Sequence, residues 1–390
     1  MPLIAINALQ VLNRSGTGYY SRRVIELVPA VDPEFRYLVI LPSSFRANPL
    51  CDKLAKTPNV RLDFVSIRTQ SERILFEQLV LARLLSKAKV DLLHSTAFVA
   101  PARLRQKSVL TVHDVAFKLF PDTLTGLRRL YLGRATESSV RKADRIIAVS
   151  DAAMKDIVRH LLCPPEKVAV IHEGGFESAG LAPRLKSQYL AHLLKWDGDY
   201  ILFMGTMEPR KNLERLLAAF SILRRTYERP CKLVIVGRKG WLTCRGGSRA
   251  ALADKQVVGA AREPPSGIER DVILTGFLPD AVVISLMQEA RVFAMPSLYE
   301  GFGLPLVTAM ACGTPIAASN AGAIPEVVGD AGLLFDPYDV EAMAEVLRRI
   351  LTSPSLAGQL AEAGKRCHAR FSWAKCAEET VEVYKHVLSA

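Results

Sequence analysis

The stretch Phe293–Pro315, FAMPSLYEGFGLPLVTAMACGTP, narrows what this chain can fold into more than any other. The apolar run Val292–Met295 stops at Pro296 and predicts a buried strand. A loop over 297–303 follows, with Glu300 between an aromatic and two glycines. Pro305 suits a first helical turn, and Leu306, Ala309, Met310 and Ala311 carry an apolar helical face as far as Gly313. Strand, glycine loop and helix in that order let backbone N–H groups and a helix N-terminus approach an anion. A carboxylate there is repelled by a phosphate, so Glu300 suits uncharged hydroxyls or a developing cation. A sugar nucleotide supplies both, although the loop alone also fits an ordinary βα turn with an exposed glutamate.

The same unit recurs. Leu3–Ile6 leads into Ser15-Gly16-Thr17-Gly18 and a helix over 19–28, and Tyr200–Met204 leads into Gly205, the dyad Arg210-Lys211 and a helix over 213–225. Further strands are expected at 37–41, 60–65, 91–94, 108–112, 144–150, 168–172, 232–236, 272–276 and 315–318, with helices over 72–87, 124–142, 279–290, 340–351, 355–368 and 372–388. Such alternation predicts an α/β chain with doubly wound parallel sheets, and 390 residues suffice for two cores. Residues 173–198 show no strand pattern, so the expected division is 1–180, a linker over 181–198, 199–371, and a last helix over 372–390. The Gly, Pro and charge-rich stretch 242–270 reads as an enlarged surface loop.

The formal charge of +12 is lopsided: residues 1–198 hold 29 Lys+Arg against 18 Asp+Glu, and the rest hold 22 against 21. A basic N-terminal half attracts nucleic acid, anionic lipid or an anionic acceptor. Nucleic acid is set aside because no interleaved aromatic and basic repeat accompanies the charge. Arg128, Arg129 and Arg134 on one expected helix, and Lys87 and Lys89 at the end of another, favour peripheral contact with an anionic membrane. No apolar run approaches the roughly 20 residues of a membrane span, and no signal-peptide pattern opens the chain, so a cytoplasmic protein is expected, peripheral at most on the inner face of the cytoplasmic membrane. The seven cysteines are scattered without a C-x-x-C pair and read as reduced thiols.

YEGFGLP followed by AMACGTP resembles the signature of glycosyltransferase family 4, retaining nucleotide-sugar enzymes of the GT-B fold. The resemblance implies two Rossmann-like domains facing a cleft, the first binding the acceptor and the second the nucleotide sugar, with a C-terminal helix returning to the first. It departs at one place: the second acid of the family's glutamate pair falls on Thr308, where a ribose-binding carboxylate is implied. TVHDVAF resembles the family's HD segment, whose His lies against the donor sugar, and MEPRKN its R-K motif. The implied catalytic residues are therefore His113, Arg210, Lys211 and Glu300. Implied substrate contacts are Gly16, Gly18, Asp114, Gly205, Gly237, Phe277, Leu278, Gly301, Phe302, Gly303, Leu304 and Thr308.

The basic dyad suits a leaving diphosphate, Arg by its fork and Lys as a compact charge. No D-x-D carboxylate pair is expected to hold a metal there, so no metal or other cofactor is expected; the nucleotide sugar is a co-substrate. TVHDVAF, MEPRKN and VGRKGW look most like the bacterial branch that uses GDP-mannose or a related GDP-deoxyhexose for lipopolysaccharide or capsule chains, on a glycan or lipid-linked acceptor. A UDP-hexose donor and a non-catalytic scaffold of the same fold stand as alternatives.

Overall fold

The computed structural model describes residues 1–13, 15–121, 126–175, 187–238 and 268–390. They divide into two units, Met1–Gly174 with Ser372–Ala390, and Gly175–Phe371. Runs such as YLVIL and KLVIV are apolar on both faces, as strands covered by helices on each side must be.

The first unit holds β1 (Leu3–Asn7), β2 (Arg36–Pro42), β3 (Val60–Val65), β4 (Leu92–Ser95), β5 (Lys107–Val112), β6 (Arg145–Ala148) and β7 (Val168–Val170). All pair in parallel in the order β3-β2-β1-β4-β5-β6-β7. Ala5 of β1 faces Leu38 of β2 on one side and Leu93 of β4 on the other, so the winding reverses beside β1. The helix Trp373–Ser389 belongs to this unit, as the family resemblance implied. Its Tyr384 hydroxyl meets buried His94 Nδ1 at 2.6 Å, and His94 Nε2 meets Thr111 Oγ1 at 2.9 Å, which in turn lies 3.0 Å from Tyr20 Oη. Burial pushes His94 down to about 3, so this chain of bonds runs through a neutral imidazole.

The second unit holds β8 (Asp199–Met204), β9 (Cys231–Val236), β10 (Val272–Gly276), β11 (Val292–Met295), β12 (Ile316–Ser319) and β13 (Gly332–Phe335), parallel in the order β10-β9-β8-β11-β12-β13. Winding reverses again, between β8 and β11. One face of its core packs Phe203, Leu233 and Ile235 against Leu216 and Phe220 of helix Leu213–Thr226 and Leu347 of helix Val340–Thr352.

Three local expectations need correction. The expected linker is helical over Ser187–Leu194, where Leu190 and Leu194 are buried, and this helix lies in the second unit. A helix over Asp151–Leu161 went unpredicted although Ser150 caps it by accepting the Ala153 N–H. The expected helix over 72–87 contains a π-helical turn, Phe76–Val80. The enlarged loop at 242–270, apart from its last three residues, the start of the linker and the Arg128 side chain lie outside the described residues.

Candidate active site

In an open parallel sheet, ligands bind off the carboxyl ends of strands where the winding reverses. In the second unit those ends are the loops after β8 and β11. The loop after β8 turns through Pro209–Lys211 and places Asn212 at φ +57°, where its amide donates to Pro296 O at 3.0 Å and Pro337 O at 2.7 Å. Leu298 N also donates to Arg210 O at 2.8 Å, so the two loops are sewn together before any side chain beyond them is considered.

That stitching brings the dyad to Glu300 across about ninety residues of sequence. Lys211 Nζ donates to Glu300 Oε1 at 2.5 Å, and Arg210 Nη1 donates to Glu300 Oε2 at 3.1 Å and to Tyr299 O at 2.7 Å. Arg210 Nη2 donates to Glu208 Oε1 at 2.8 Å. Burial alone would raise the Glu300 carboxyl, and Lys211 and Arg210 more than reverse this, holding it at about 2. Glu300 is thus a carboxylate at every physiological pH. Its backbone is fixed as well: Ala323 N donates to Glu300 O at 2.9 Å, and a Cβ on Gly322 would stand 2.5 Å from that oxygen.

Gly303, at φ +108°, opens the helix Leu304–Cys312, whose N-terminus has no side-chain cap. Such an end offers N–H groups to an anion. Gly205 and Gly237 meet directly, since a Cβ on Gly237, at φ +150°, would lie 1.9 Å from Gly205 O. Gly237 N donates to Gly276 O at 2.9 Å, so the loops after β8, β9 and β10 also touch. Phe277 follows, half exposed, with Leu278 partly buried. Gly301, Phe302 and Leu304 are buried, and the Phe302 ring packs edge-on against Phe371 at 5.6 Å. Thr308 is buried too, and its hydroxyl donates to Leu304 O at 3.1 Å.

The remaining expected residues lie in the first unit. Both ring nitrogens of buried His113 are occupied: Nδ1 meets Glu173 Oε1 at 3.1 Å and Nε2 meets Thr96 O at 2.9 Å. Two acceptors suit an imidazolium, and although burial lowers its pKa, Glu173 outweighs this and raises it. The ring therefore has no N–H left for a sugar hydroxyl, which departs from the expected role. Asp114 Oδ1 accepts from Ala116 N at 2.9 Å and shapes its own turn. Gly18 is needed because a Cβ there would lie 1.8 Å from Asn13 O; Gly16 is exposed in the first turn.

The sequence contains one D-x-D, Asp197-Gly198-Asp199. Asp199 begins β8, the end of the strand away from Arg210, and its carboxylate accepts from Arg291 Nε at 2.9 Å. Over six residues that separates it from the loop by roughly 17 Å, too far to serve the same diphosphate. Sequence reasoning also missed Glu208, Asn212 and Glu173. Asn directly before an apolar helical run was a readable cap signal for the second, while the other two carry no local signature.

Over residues 191–367 the chain matches the family of glycosyl transferases group 1, and over residues 22–174 it matches Glycosyltransferase Family 4. It is 33% identical over 296 residues to O-antigen chain mannosyltransferase B of Escherichia coli, covering 75% of this chain and 73% of that protein. The serotype-specific mannosyltransferase WbdA of Escherichia coli is 29% identical over 293 residues, 73% of this chain, and the chain spans only 34% of that protein. Among solved structures, sucrose-phosphate synthase from Thermosynechococcus elongatus superposes with a TM-score of 0.75 at 21% identity over 100% of both chains, a likeness of fold. The reversed winding of both sheets, the glycine-opened helix beside Glu300 and these likenesses agree: the chain is a glycosyltransferase of the GT-B fold and belongs to glycosyltransferase family 4, in its bacterial mannosyltransferase-like branch.

Proposed function

We propose that this chain transfers a hexosyl group, mannose or a related deoxyhexose, from a GDP-sugar to a hydroxyl of a glycan or lipid-linked glycan in cell-surface polysaccharide synthesis, with retention of anomeric configuration. The observation that carries the reading is the Arg210, Lys211 and Glu300 cluster at the winding reversal of the second unit. Two part-buried cations held on one carboxylate are already ordered and partly desolvated, so little reorganisation is needed when a leaving diphosphate gains charge. The helix end at Gly303 supplies further positive potential. Glu300, fixed as an anion, accepts sugar hydroxyls and steadies a cationic ring, while half-exposed Phe277 offers a face for the base. The C1–O bond to the diphosphate breaks, the acceptor oxygen bonds to C1 on the same face, and its proton passes to the departing phosphate oxygen. The relatives' mannosyltransferase names support the sugar, and a UDP-hexose is the competing donor.

Arg210→Ala and Lys211→Ala are each expected to lower turnover by about 100-fold, the scale of losing one charge stabiliser at a leaving group. Turnover abolished by EDTA and restored by manganese refutes a metal-free diphosphate site. Uptake of UDP-glucose but not GDP-mannose in a saturation-transfer NMR panel replaces the donor, and no binding of any nucleotide sugar leaves a scaffold.

The first unit, in this reading, meets an anionic bilayer. Leu75, Leu79 and Val80 on the helical stretch 70–87, and Leu130 on the helix Gly126–Lys142, are large apolar side chains left exposed, and Arg129, Arg134, Lys87 and Lys89 are exposed as well. Among the described residues no helix is long and apolar enough to cross a membrane.

A further inference from the structure

The helical stretch 70–87 of the first unit is solvated the wrong way round at one place. Leu75 and Leu79 are 57% and 62% exposed, while Glu77 between them is 5% exposed. A carboxyl without a cation on it is among the side chains least suited to burial. Glu77 heads the stripe Glu77, Leu81 and Leu85, whose two leucines cluster with Ala5, Leu38 and Leu93 of the sheet, and it sits in the π-helical turn Phe76–Val80. Such turns are frequent at functional positions. The stripe brings Glu77 to the carboxyl end of β1, where Asn7 Nδ2 donates to its Oε1 at 3.1 Å. Among the described residues no hydrogen bond reaches Oε2. Burial therefore raises the carboxyl, against the smaller opposing effects of Arg73 and Asn7.

Asn7 pairs in register with Ser95 at the end of β4, so both side chains rise from one face of strands about 4.8 Å apart, the face that carries Ala5 and Leu93. Ser95 is 1% exposed, and its hydroxyl also lacks a partner among the described residues. A buried hydroxyl left so costs stability, as does the bare carboxylate oxygen beside it. β1 and β4 are the strands between which the winding of the first sheet reverses, where a ligand is expected. We propose that Glu77 Oε2 and Ser95 Oγ hold two neighbouring hydroxyls of an uncharged acceptor sugar, one donating to the carboxylate and the other accepting from the serine. A phosphorylated ligand is repelled by Glu77, and a calcium ion needs about six or more oxygens, far beyond this pair. A sugar diol satisfies both groups at once. Thr96 braces the site, its hydroxyl donating to Asn7 O at 3.0 Å and its carbonyl accepting from His113 Nε2 at 2.9 Å. That gives His113 a supporting part although no N–H of its ring is left for a sugar. Naming the sugar as the acceptor rests on the glycosyltransferase reading; the contacts themselves do not.

The test is titration of the full chain with methyl α-mannoside, methyl α-glucoside and methyl α-galactoside by saturation-transfer NMR, with GDP titrated into the same preparation by calorimetry. Glu77→Gln is expected to weaken the hexoside that binds by at least about tenfold, the scale of one charge-assisted hydrogen bond, and Ser95→Ala by about threefold. Singly deoxygenated forms of that hexoside locate the contact. One of them should bind the native chain about tenfold more weakly and lose nothing further in Glu77→Gln, because the missing hydroxyl is the one the carboxylate receives. GDP affinity should be unchanged in both variants, and the melting temperature of Glu77→Gln unchanged or raised, since the amide relieves a buried charge and its oxygen still accepts from Asn7. A merely structural Glu77 predicts the reverse, a lower melting temperature and a loss that persists with every deoxy form. That pattern overturns the proposal, as does a Glu77→Gln chain that binds the hexoside as well as the native one, or a native chain that takes none of the three. Should Glu77→Gln not fold, Ser95→Ala decides: unchanged hexoside affinity overturns the site. Absence of GDP binding in a native chain that still takes the hexoside fails the donor reading alone and leaves this one standing.

Discussion

Replacing Glu300 by glutamine keeps the shape of the protonated acid and removes its charge. In the native chain the carboxyl is displaced from 4.5 to about 2, because Lys211 and Arg210 outweigh the burial that opposes ionisation. That displacement is worth about 3 kcal/mol in favour of the charged form. The sign follows from linkage: a carboxyl with a depressed native pKa contributes stability that is present above the unfolded value near 4.5 and lost as pH falls toward 2. Glu300→Gln is therefore expected to be less stable than the native chain by about 3 kcal/mol at pH 7, nearly as much at pH 5, and by about 2 kcal/mol at pH 3.5. For a unit of this size the melting temperature at pH 7 should fall by about 6–12 °C. Urea unfolding followed by far-UV circular dichroism at the three pH values measures the gap, and scanning calorimetry checks the midpoint. A variant as stable as the native chain at pH 7, or a gap that widens as pH falls, refutes the argument that these two cations hold Glu300.

Thr308→Glu should restore a charge-assisted contact to a ribose hydroxyl and tighten GDP binding by roughly 1–2 kcal/mol, read by calorimetry; equal or weaker binding means that another residue holds the ribose. Gly237→Ala sets a Cβ against Gly205 O at a φ of +150°, and should cost at least about 2 kcal/mol in denaturant unfolding; an unchanged midpoint means that the two loops part freely. Binding to anionic vesicles should be strong at low salt and fall steeply as the Debye length shrinks from about 10 Å at 0.1 M to about 3 Å at 1 M; equal, negligible pelleting with neutral and anionic vesicles removes the membrane contact.

What could be read from the residues was whatever repeats locally. Apolar runs marked most strands of both sheets, and GFGLP placed Gly303 at a helix start where the structure has it. Glu300 and the dyad were each marked by their loops, but not their union, because an ion pair across ninety positions depends on which strands become neighbours. His113 shows the opposite limit. Its position at a strand end was legible, while its partner Glu173 lies sixty residues on, and only that partner raises the pKa of the ring and occupies its Nδ1. The helix Ser187–Leu194 was hidden because glycine and proline before it read as a linker.

Because the helix Trp373–Ser389 completes the first unit, order of synthesis and order of folding disagree. On the ribosome, His94 waits for Tyr384 through 290 further residues, and the groove over Gly174 stays open until Trp373 arrives, whose ring a Cβ there would strike at 2.4 Å. The second unit, lying wholly between those two events, meets no such delay and is free to fold on the nascent chain. A nascent chain halted before residue 372 would thus carry one finished body and one unfinished, with an apolar trough exposed to chaperones and proteases. Late arrival of this single helix makes completion of the first unit depend on synthesis through residue 389.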